Sequence, residues 1–448
     1  MAYSRYGVHH AKTEEIYMLT NDFLGDTIAR LGFGAMRLPI IDNDASNIDQ
    51  AAVDAMIDTA IAAGVNYFDT AYPYHGGMSE IVLGKSLARY PRDQFYLATK
   101  YPGHQIADAY DPAPIFEEQL VKCGADYFDF YLLHNIYEAS IDVYLDERWG
   151  IADYFIEQKK NGRIRHLGFS CHGRPETLKR FIEYGARKYA ELEQHDPETA
   201  ALFANNNIME FCQIQLNYLD WTLQDAAEKT KLLEDVGMPI VVMEPLRGGK
   251  LATLSDMQMQ QLHTMQSGAD SLNDEDKAAA TCSAVEWAFR WLLGIESVKT
   301  ILSGMSDLAQ VEENCQIFQT ASPLTKPEED ALLTIAESLK SGVPCTACRY
   351  CVDSCPQVID IPMMLNAYND LQFDTSFTVS MQMDAVPEGQ RAQDCIQCEM
   401  CVQMCPQGID IPVVLEELAG TLDKMPKWAD LCRERAEAAA KLAAESRE

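Results

Sequence analysis

Basic residues are scarce in this 448-residue sequence: 36 lysines and arginines stand against 68 aspartates and glutamates, a formal net charge of −32. A chain so acidic is repelled by nucleic-acid phosphates and by anionic membrane surfaces, and neither is expected as a partner. An anionic cofactor can bind only through a local cluster of donors that works against this global field. Long apolar runs are missing too. No stretch approaches the roughly 18 residues that a membrane-spanning helix needs. Residues 1–21 lack the continuous apolar segment of a secretion signal, so a cytoplasmic location is expected. Compositional bias is also absent: apolar residues make up 47% and charged residues 23%, which excludes collagen, low-complexity disorder and coiled coil for the whole chain. The length allows two to three domains at about 150 residues each, although α/β barrels run longer as one unit.

Cysteine, by contrast, is plentiful. Eight of the fourteen cysteines form two groups: Cys345, Cys348, Cys351 and Cys355 before Pro356, and Cys395, Cys398, Cys401 and Cys405 before Pro406. Both read C-x2-C-x2-C-x3-C-P. CTACRYCVDSCPQVIDIPMML and CIQCEMCVQMCPQGIDIPVVL match at 12 of 21 positions at an offset of 50 residues, the mark of one structural unit used twice. Three thiolates two residues apart let a tight loop wrap one face of an iron–sulfur cube, while the fourth starts the next turn and faces away. Structural zinc normally uses two C-x2-C pairs instead, and disulfides do not suit a reducing compartment. The segment resembles bacterial-type dicluster ferredoxin domains, and departs from the compact form in having about 40 residues between Cys355 and Cys395, which carry a helical stretch at Met363–Leu371 and a polar loop. The resemblance implies two [4Fe–4S] clusters with crossed ligation. Cys345, Cys348, Cys351 and Cys405 hold one, and Cys395, Cys398, Cys401 and Cys355 hold the other. Ile361 and Ile411 would shield them. The six scattered cysteines (Cys123, Cys171, Cys212, Cys282, Cys315 and Cys432) read as small buried residues.

From Leu31 to Phe318, short runs rich in β-branched and aromatic residues alternate with helical periods. The strand candidates are Leu31–Met36, Asn66–Asp69, Gln94–Thr99, Phe128–Leu133, Arg165–Phe169, Phe211–Leu216, Pro239–Met243 and Ser297–Leu302. Helices are predicted over 50–63, 78–89, 114–123, 142–161, 175–184, 224–236, 279–293 and 307–318, with Gly64, Gly162, Gly185, Gly237 and Gly294 placed to end them. Eight strand–helix pairs argue for a (β/α)8 barrel over a doubly wound sheet. Insertions are expected at Arg187–Ile208 and Ser255–Lys277. The α/β fold class is thus a barrel at 1–321, followed by a linker helix at 322–343, a small α+β ferredoxin-like iron–sulfur domain at 344–425 and a terminal helix at 426–448 that packs or ends in solvent.

Barrel chemistry gathers at the C-terminal ends of the strands. Strand two ends in Asp69 with Tyr74 close behind, strand three in Lys100 and strand four in His134. A phenol ionises near pH 10 and donates a proton well only if its anion is stabilised. An ammonium beside it does that, a carboxylate holds the ammonium, and a neutral imidazole can hydrogen-bond a substrate oxygen. Taken singly, each of these is more readily a cap, a solvated charge or a satisfied core residue; their joint placement on successive strands points to a site.

The stretches GFGAMRLP at 32–39, NYFDTAYPYHGGMSEIVLGKSL at 66–87, ATK at 98–100, FDFYLLH at 128–134, IRHLGFS at 164–170, FCQIQLNY at 211–218 and VVMEPLRGGKL at 241–251 resemble the aldo/keto reductase family across roughly residues 28–320. With the cysteine block, the chain is similar to microbial members that carry a fused ferredoxin-type domain. The resemblance implies that Asp69, Tyr74, Lys100 and His134 are a catalytic tetrad and that Ser170 and Gln213 hold a nicotinamide carboxamide. It further implies that Glu244, Leu246, Arg247, Gly248 and Lys250, with Gly304, Ser306, Gln310 and Asn314, bind the rest of NADP(H) or NAD(H). Two positions depart from the family pattern. Cys171 stands where an Asn usually follows the strand-five Ser, and SGMSDLAQVEEN at 303–314 has no basic residue for a 2′-phosphate. NADP(H) over NAD(H) is therefore a family expectation with little local support.

Two functions are compatible with these residues. One is a carbonyl-reducing oxidoreductase that takes hydride from NAD(P)H, with Tyr74 as proton donor. The other is an electron-transfer or redox-sensing protein in which the clusters act and the barrel is a nucleotide-binding scaffold. Hydride moves two electrons together and a cluster moves one, and no flavin motif is present to couple them. A small-molecule carbonyl is the expected substrate and an electron-transfer protein a second candidate partner. Phe33, Arg37, Tyr72, Tyr101 and His104, near the strand ends, admit a polar or aromatic carbonyl.

Overall fold

The computed structural model describes residues 17–42, 44–105, 107–266, 282–339, 342–343, 345, 349–373, 377–405, 407–434 and 437. Parallel strands buried on both faces read as continuous apolar runs, and all eight expected strands are present within a few residues. They are β3 (Leu31–Gly34), β4 (Tyr67–Asp69), β5 (Tyr96–Tyr101), β6 (Phe128–Ile136), β7 (Ile164–Cys171), β8 (Cys212–Gln215), β9 (Ile240–Met243) and β10 (Val298–Ser303), closed into a barrel in chain order with β10 pairing β3. Every pairing is parallel, so the eight strand ends meet at one mouth.

A hairpin that the sequence did not announce precedes the barrel: β1 (Thr20–Phe23) and β2 (Asp26–Ala29) pair antiparallel through Leu24 and Gly25, both at positive φ. Its Phe23 and Ile28 are fully buried. Phe23 stacks on Phe130 at 4.8 Å and meets Phe211 edge-on at 5.4 Å, while Asp26 reaches His166 and Tyr96 near the starts of their strands. The hairpin therefore closes the N-terminal end of the barrel and leaves the opposite mouth for chemistry.

Several helix limits differ from expectation. The stretch predicted as one helix over 142–161 is divided into Ile141–Leu145, a turn at Glu147–Trp149 and Ile151–Lys160, with Gly150 at φ 57°. Gly64, Gly162 and Gly237 follow their helices in the left-handed region, as expected, whereas Gly294 follows its helix in a right-handed conformation. Gly185 ends nothing. The helix Pro175–His195 runs through it, because a Cβ there would stand 2.1 Å from Asn207 Oδ1. The expected insertion at 187–208 begins as the continuation of that helix to His195 and goes on through a short helix, Pro197–Ala200, and turns. The second insertion begins with helix Asp256–Met265, and its remainder at 267–277 lies outside the described residues.

Helix Lys326–Leu339 sends Ala331, Leu332, Ile335 and Ala336 into the barrel's core, so it is packed on the barrel and not extended as a spacer. Beyond it the repeat is visible in the backbone. Arg349 and Glu399 are both in the left-handed region, as are Val358 and Gly408, each pair 50 positions apart. The copies then form helices Ile361–Phe373 and Ile411–Leu422, which share a core of Ile361, Leu365, Ile411, Leu415 and Leu418. The described elements after Cys345 are helical, with no strand among the described residues. The residues expected as a polar loop after Leu371 contain a second helix, Phe377–Asp384. Its Val379 and Met383, four apart, enter the shared core, while Met381 faces Tyr137 of the barrel. Residues 428–434 are helical, and the rest of the expected terminal helix, 435–436 and 438–448, falls outside the described residues. No helix among the described residues is long and apolar enough to cross a membrane.

Val358 is β-branched and sits at φ 52° where the second copy has Gly408. A left-handed L-residue costs about 1–2 kcal/mol, so Val358→Gly is expected to stabilise the cluster segment by about 1 kcal/mol after the entropic cost of glycine. Thermal unfolding of anaerobically prepared protein checks this, and a lower midpoint in the variant would contradict it.

Candidate functional site

Asp69 ends β4, Lys100 lies near the end of β5 and His134 near the end of β6, and strand pairing sets Asp69 beside Ala98. Lys100 has no exposed surface. Its Nζ donates to Asp69 Oδ1 at 2.6 Å and to the Thr70 carbonyl at 2.7 Å. Burial pushes the Lys100 ammonium down toward losing its proton, opposed by Asp69, and pushes the Asp69 carboxyl up, opposed by Lys100. Lys100 Nζ also lies 5.0 Å from the Tyr74 ring centroid, and the Tyr74 and His134 rings meet edge-on at 5.8 Å. The four expected tetrad residues are thus brought together at one mouth.

The segment carrying Tyr74 is held firmly. His75, Gly76 and Gly77 all take positive φ, and non-glycine His75 is fixed by two bonds. Its Nε2 accepts from the Leu38 N–H at 3.1 Å, which leaves Nδ1 as donor to the Ala45 carbonyl at 2.8 Å. Behind Lys100, buried Glu80 accepts from Thr99 and Gln119, each at 2.6 Å, and Gln119 also donates to the Lys100 carbonyl at 3.1 Å. Sequence reasoning singled out neither His75 nor Glu80.

Ser170 and Gln213 lie opposite each other on the paired strands β7 and β8. Ser170 Oγ accepts from the Asn135 N–H at 2.8 Å. Gln213 is buried, and its Oε1 has no hydrogen-bond partner among the described residues. An orphaned carbonyl oxygen here fits an amide N–H from a ligand such as a nicotinamide carboxamide. The Cys171 thiol is buried and pushed up to about 12, chiefly by burial, so it stays a neutral, weak donor at the position where the family has an amide. His172, pushed down to about 4 by burial first, remains neutral nearby.

The expected nucleotide segments divide. Glu244, Arg247, Gly248 and Gly249 all take positive φ and form a tight turn after β9 whose Gly248, Gly249 and Lys250 are exposed. Gly304 and Ser306 are exposed after β10. Gln310 folds back to accept from the Ser306 N–H at 2.9 Å, and Asn314 is buried on Ser303 at 3.0 Å. Leu246 is half-buried at the turn. Arg247 does not face open space. It is 3% exposed, with Nη2 2.7 Å from Asp370 and Nη1 3.4 Å from Asp220. One guanidinium serves two buried carboxylates there, and burial with Asp220 nearby pushes the Asp370 carboxyl up to about 6. Arg37, which the sequence associates with the substrate, instead lies between the two nucleotide segments. Its guanidinium would stand 3.0 Å from a Cβ at Gly248, its aliphatic stem packs at Gly304, and its Nη2 lies 3.5 Å from Glu244 Oε1. Phe33 and Tyr101, also assigned to the substrate side, are packed into the core.

In the cysteine block, Cys355 belongs with the second motif. Cys355, Cys395, Cys398 and Cys401 line one cavity with Ile359, Ile361 and Leu415. Among the described residues no three ligating side chains converge as on a single ion. Four thiols around an apolar cavity fit a cluster better than one tetrahedral zinc, whose sulfurs must all lie about 2.3 Å from the metal. Burial, followed by neighbouring Cys395, Cys398 and Cys355, pushes the Cys401 thiol up to about 11, so a thiolate set there needs a compensating cation. Cys345, Cys351 and Cys405 are half-buried or buried in the same core, and Cys348 lies outside the described residues.

Comparison with known proteins identifies the two segments. The model of the aldo/keto reductase family matches residues 30–332, and that of the 4Fe-4S dicluster domain matches residues 344–409. L-galactose dehydrogenase of Arabidopsis thaliana is 26% identical over 306 residues, covering 65% of this chain and 85% of its own length. The NADH-specific methylglyoxal reductase of Escherichia coli is 23% identical over 321 residues, 64% of this chain and 89% of its own. An aldo-keto reductase from Bacillus halodurans, solved in its holo form, shares the barrel fold at a TM-score of 0.52 and 23% identity, covering 71% of this chain and 96% of its own.

Proposed function

Because this chain belongs to the aldo/keto reductase family, we propose that it reduces a small-molecule carbonyl at Asp69, Tyr74, Lys100 and His134, with NAD(P)H as its partner in the reaction. The observation that carries this reading is the fully buried Lys100, 2.6 Å from Asp69 and 5.0 Å from the Tyr74 ring centroid. A bound nicotinamide supplies hydride to the carbonyl carbon. Tyr74 gives its phenolic proton to the oxygen, and Lys100, held by Asp69, stabilises the phenolate left behind. His134 hydrogen-bonds the carbonyl oxygen and orients it. Ser170 and the orphaned Gln213 Oε1 are the groups for the carboxamide, which set the ring's face.

The nucleotide reading rests on charge. Asp307 caps the helix Leu308–Thr320 through the Gln310 N–H, and this segment has no cation. Arg247 is committed to Asp370, so Arg37, between Gly248 and Gly304, is the cation for the pyrophosphate. This favours NADH as much as NADPH, in keeping with the NADH-specific name of the Escherichia coli relative.

Two [4Fe–4S] clusters with crossed ligation are the reading for the cysteine block, supported by Cys355 lining the cavity of the second motif. Such clusters carry single electrons. Cys398 is exposed, and Val358, Ile396 and Met400 beside the motifs are exposed apolar side chains, which favours electron exchange with an outside partner over exchange with the barrel.

Three outcomes are expected. Tyr74→Phe keeps the shape and removes the acid, so carbonyl turnover falls about 100-fold or more while nucleotide affinity holds. Undiminished turnover in the purified variant would remove Tyr74 from its role. In paired fluorescence titrations at matched salt, NADPH should bind little better than NADH. Arg37→Gln should weaken both about tenfold, the size of one charged hydrogen bond. A strong NADPH preference indifferent to Arg37 would overturn the phosphate assignment. Finally, Cys355→Ser and Cys398→Ser should abolish the same reduced-cluster resonance, and Cys345→Ser a different one. Grouping of Cys355→Ser with Cys345→Ser would exclude crossing.

A further inference from the structure

The segment beyond the barrel does not hang from it; it lies across the mouth. On the nucleotide side, Asp370 from the stretch between the cysteine motifs engages Arg247. On the side of β5 to β7, helix Phe377–Asp384 and the helical turns at 428–434 cover the strand ends. Asn135 Nδ2 donates to Met381 Sδ at 3.1 Å, and Gln382 Nε2 donates to the His172 carbonyl at 3.2 Å. Trp428 is buried with Tyr137, Met381 and Cys432. Its N–H on the main chain is fixed by Asp384 at 2.8 Å, which ties the tail to the insert helix.

What Trp428 touches gives this cover a role. Its ring stacks on His104 with centroids 6.0 Å apart and planes 26° apart, and His104 in turn meets His134 edge-on at 4.4 Å. His134, the group proposed to bind the carbonyl oxygen, is thus linked through His104 to Trp428, and a carbonyl substituent on that side of His134 meets this pair. An indole packed against three neighbours, on a main chain tied to Asp384, is a rigid wall, and a rigid apolar wall discriminates by size. We propose that Trp428, brought to the mouth by the segment C-terminal to the barrel, is a specificity-determining residue that restricts the site to compact carbonyl compounds. This rests on the carbonyl-reductase reading for its substrate and on the packing alone for its wall.

The test uses the full-length, anaerobically prepared holoprotein and two variants, Trp428→Ala and the conservative Trp428→Phe. Each is assayed with a series of aldehydes and ketones of rising bulk. For Trp428→Ala, kcat/KM with the bulkiest members is expected to rise relative to the smallest by about tenfold or more, the scale of one removed group in an apolar pocket, with NAD(P)H affinity unchanged. Trp428→Phe should keep most of the wild-type profile. A uniform fall across the series in Trp428→Ala would mean a structural role only and would overturn the proposal. A second readout needs no turnover: carbethoxylation of His104 by diethyl pyrocarbonate, followed by mass spectrometry. Modification is expected to be slow in the wild type and about tenfold faster in Trp428→Ala. Equal rates in the two proteins would overturn the wall even if the enzyme is active. If the wild type reduces no carbonyl in the series but His104 protection is lost in Trp428→Ala, the reductase reading fails and the wall stands without it.

Discussion

A lysine ammonium with no contact to solvent has to be compensated where it lies, and in this barrel the compensation is one carboxylate and one carbonyl. That requirement orders the mouth. β4 must end on Asp69 and β5 must run alongside it, so that the two side chains meet within 2.6 Å. The chain leaving β4 must then turn sharply enough to bring Tyr74 back over Lys100. The three positive-φ residues that follow Tyr74, clamped by His75 to the loop after β3, hold that segment in place. The buried network of Glu80, Thr99 and Gln119 holds the strand carrying Lys100 from behind. A charged pair so enclosed adds little to stability in net terms, but it keeps a cation beside a phenol, which is what proton donation near neutrality needs.

The second constraint comes from the far end of the chain. The extra residues between the two cysteine motifs do more than lengthen a loop. They supply Asp370 to a buried ion pair with Arg247 and a helix whose two faces serve two cores at once. Iron–sulfur and barrel segments are thereby packed as neighbours across the strand ends, with Arg174 on Asp360 at 3.8 Å as a further tie.

Much of this was legible in the amino-acid order. Parallel strands bury both faces, so each reads as an uninterrupted apolar run, and the residues that end those runs are the ones that meet at the mouth. The cysteine repeat was legible because its 50-residue offset preserves backbone as well as ligands, down to the left-handed pair Arg349 and Glu399. The hairpin was hidden because its strands are four residues each and run into β3 with only Gly25 as punctuation. Gly185 misled because a glycine that admits a neighbour, here Asn207, is spelled like one that ends a helix. Arg247 and Arg37 show the deeper limit. A basic residue in a glycine turn invites assignment to a phosphate, but the direction of its guanidinium is set by Asp370, 123 positions away.

The proposed reaction takes place wholly in the barrel, and the clusters are not intermediates in it. The most direct measurement is a single anaerobic turnover with stereospecifically deuterated NAD(P)H and a carbonyl substrate, with cluster absorbance followed throughout. Full recovery of deuterium on the product's carbinol carbon, from one face of the nucleotide only, is expected while the cluster absorbance stays constant. Loss of the label to water together with bleaching of the clusters would contradict it.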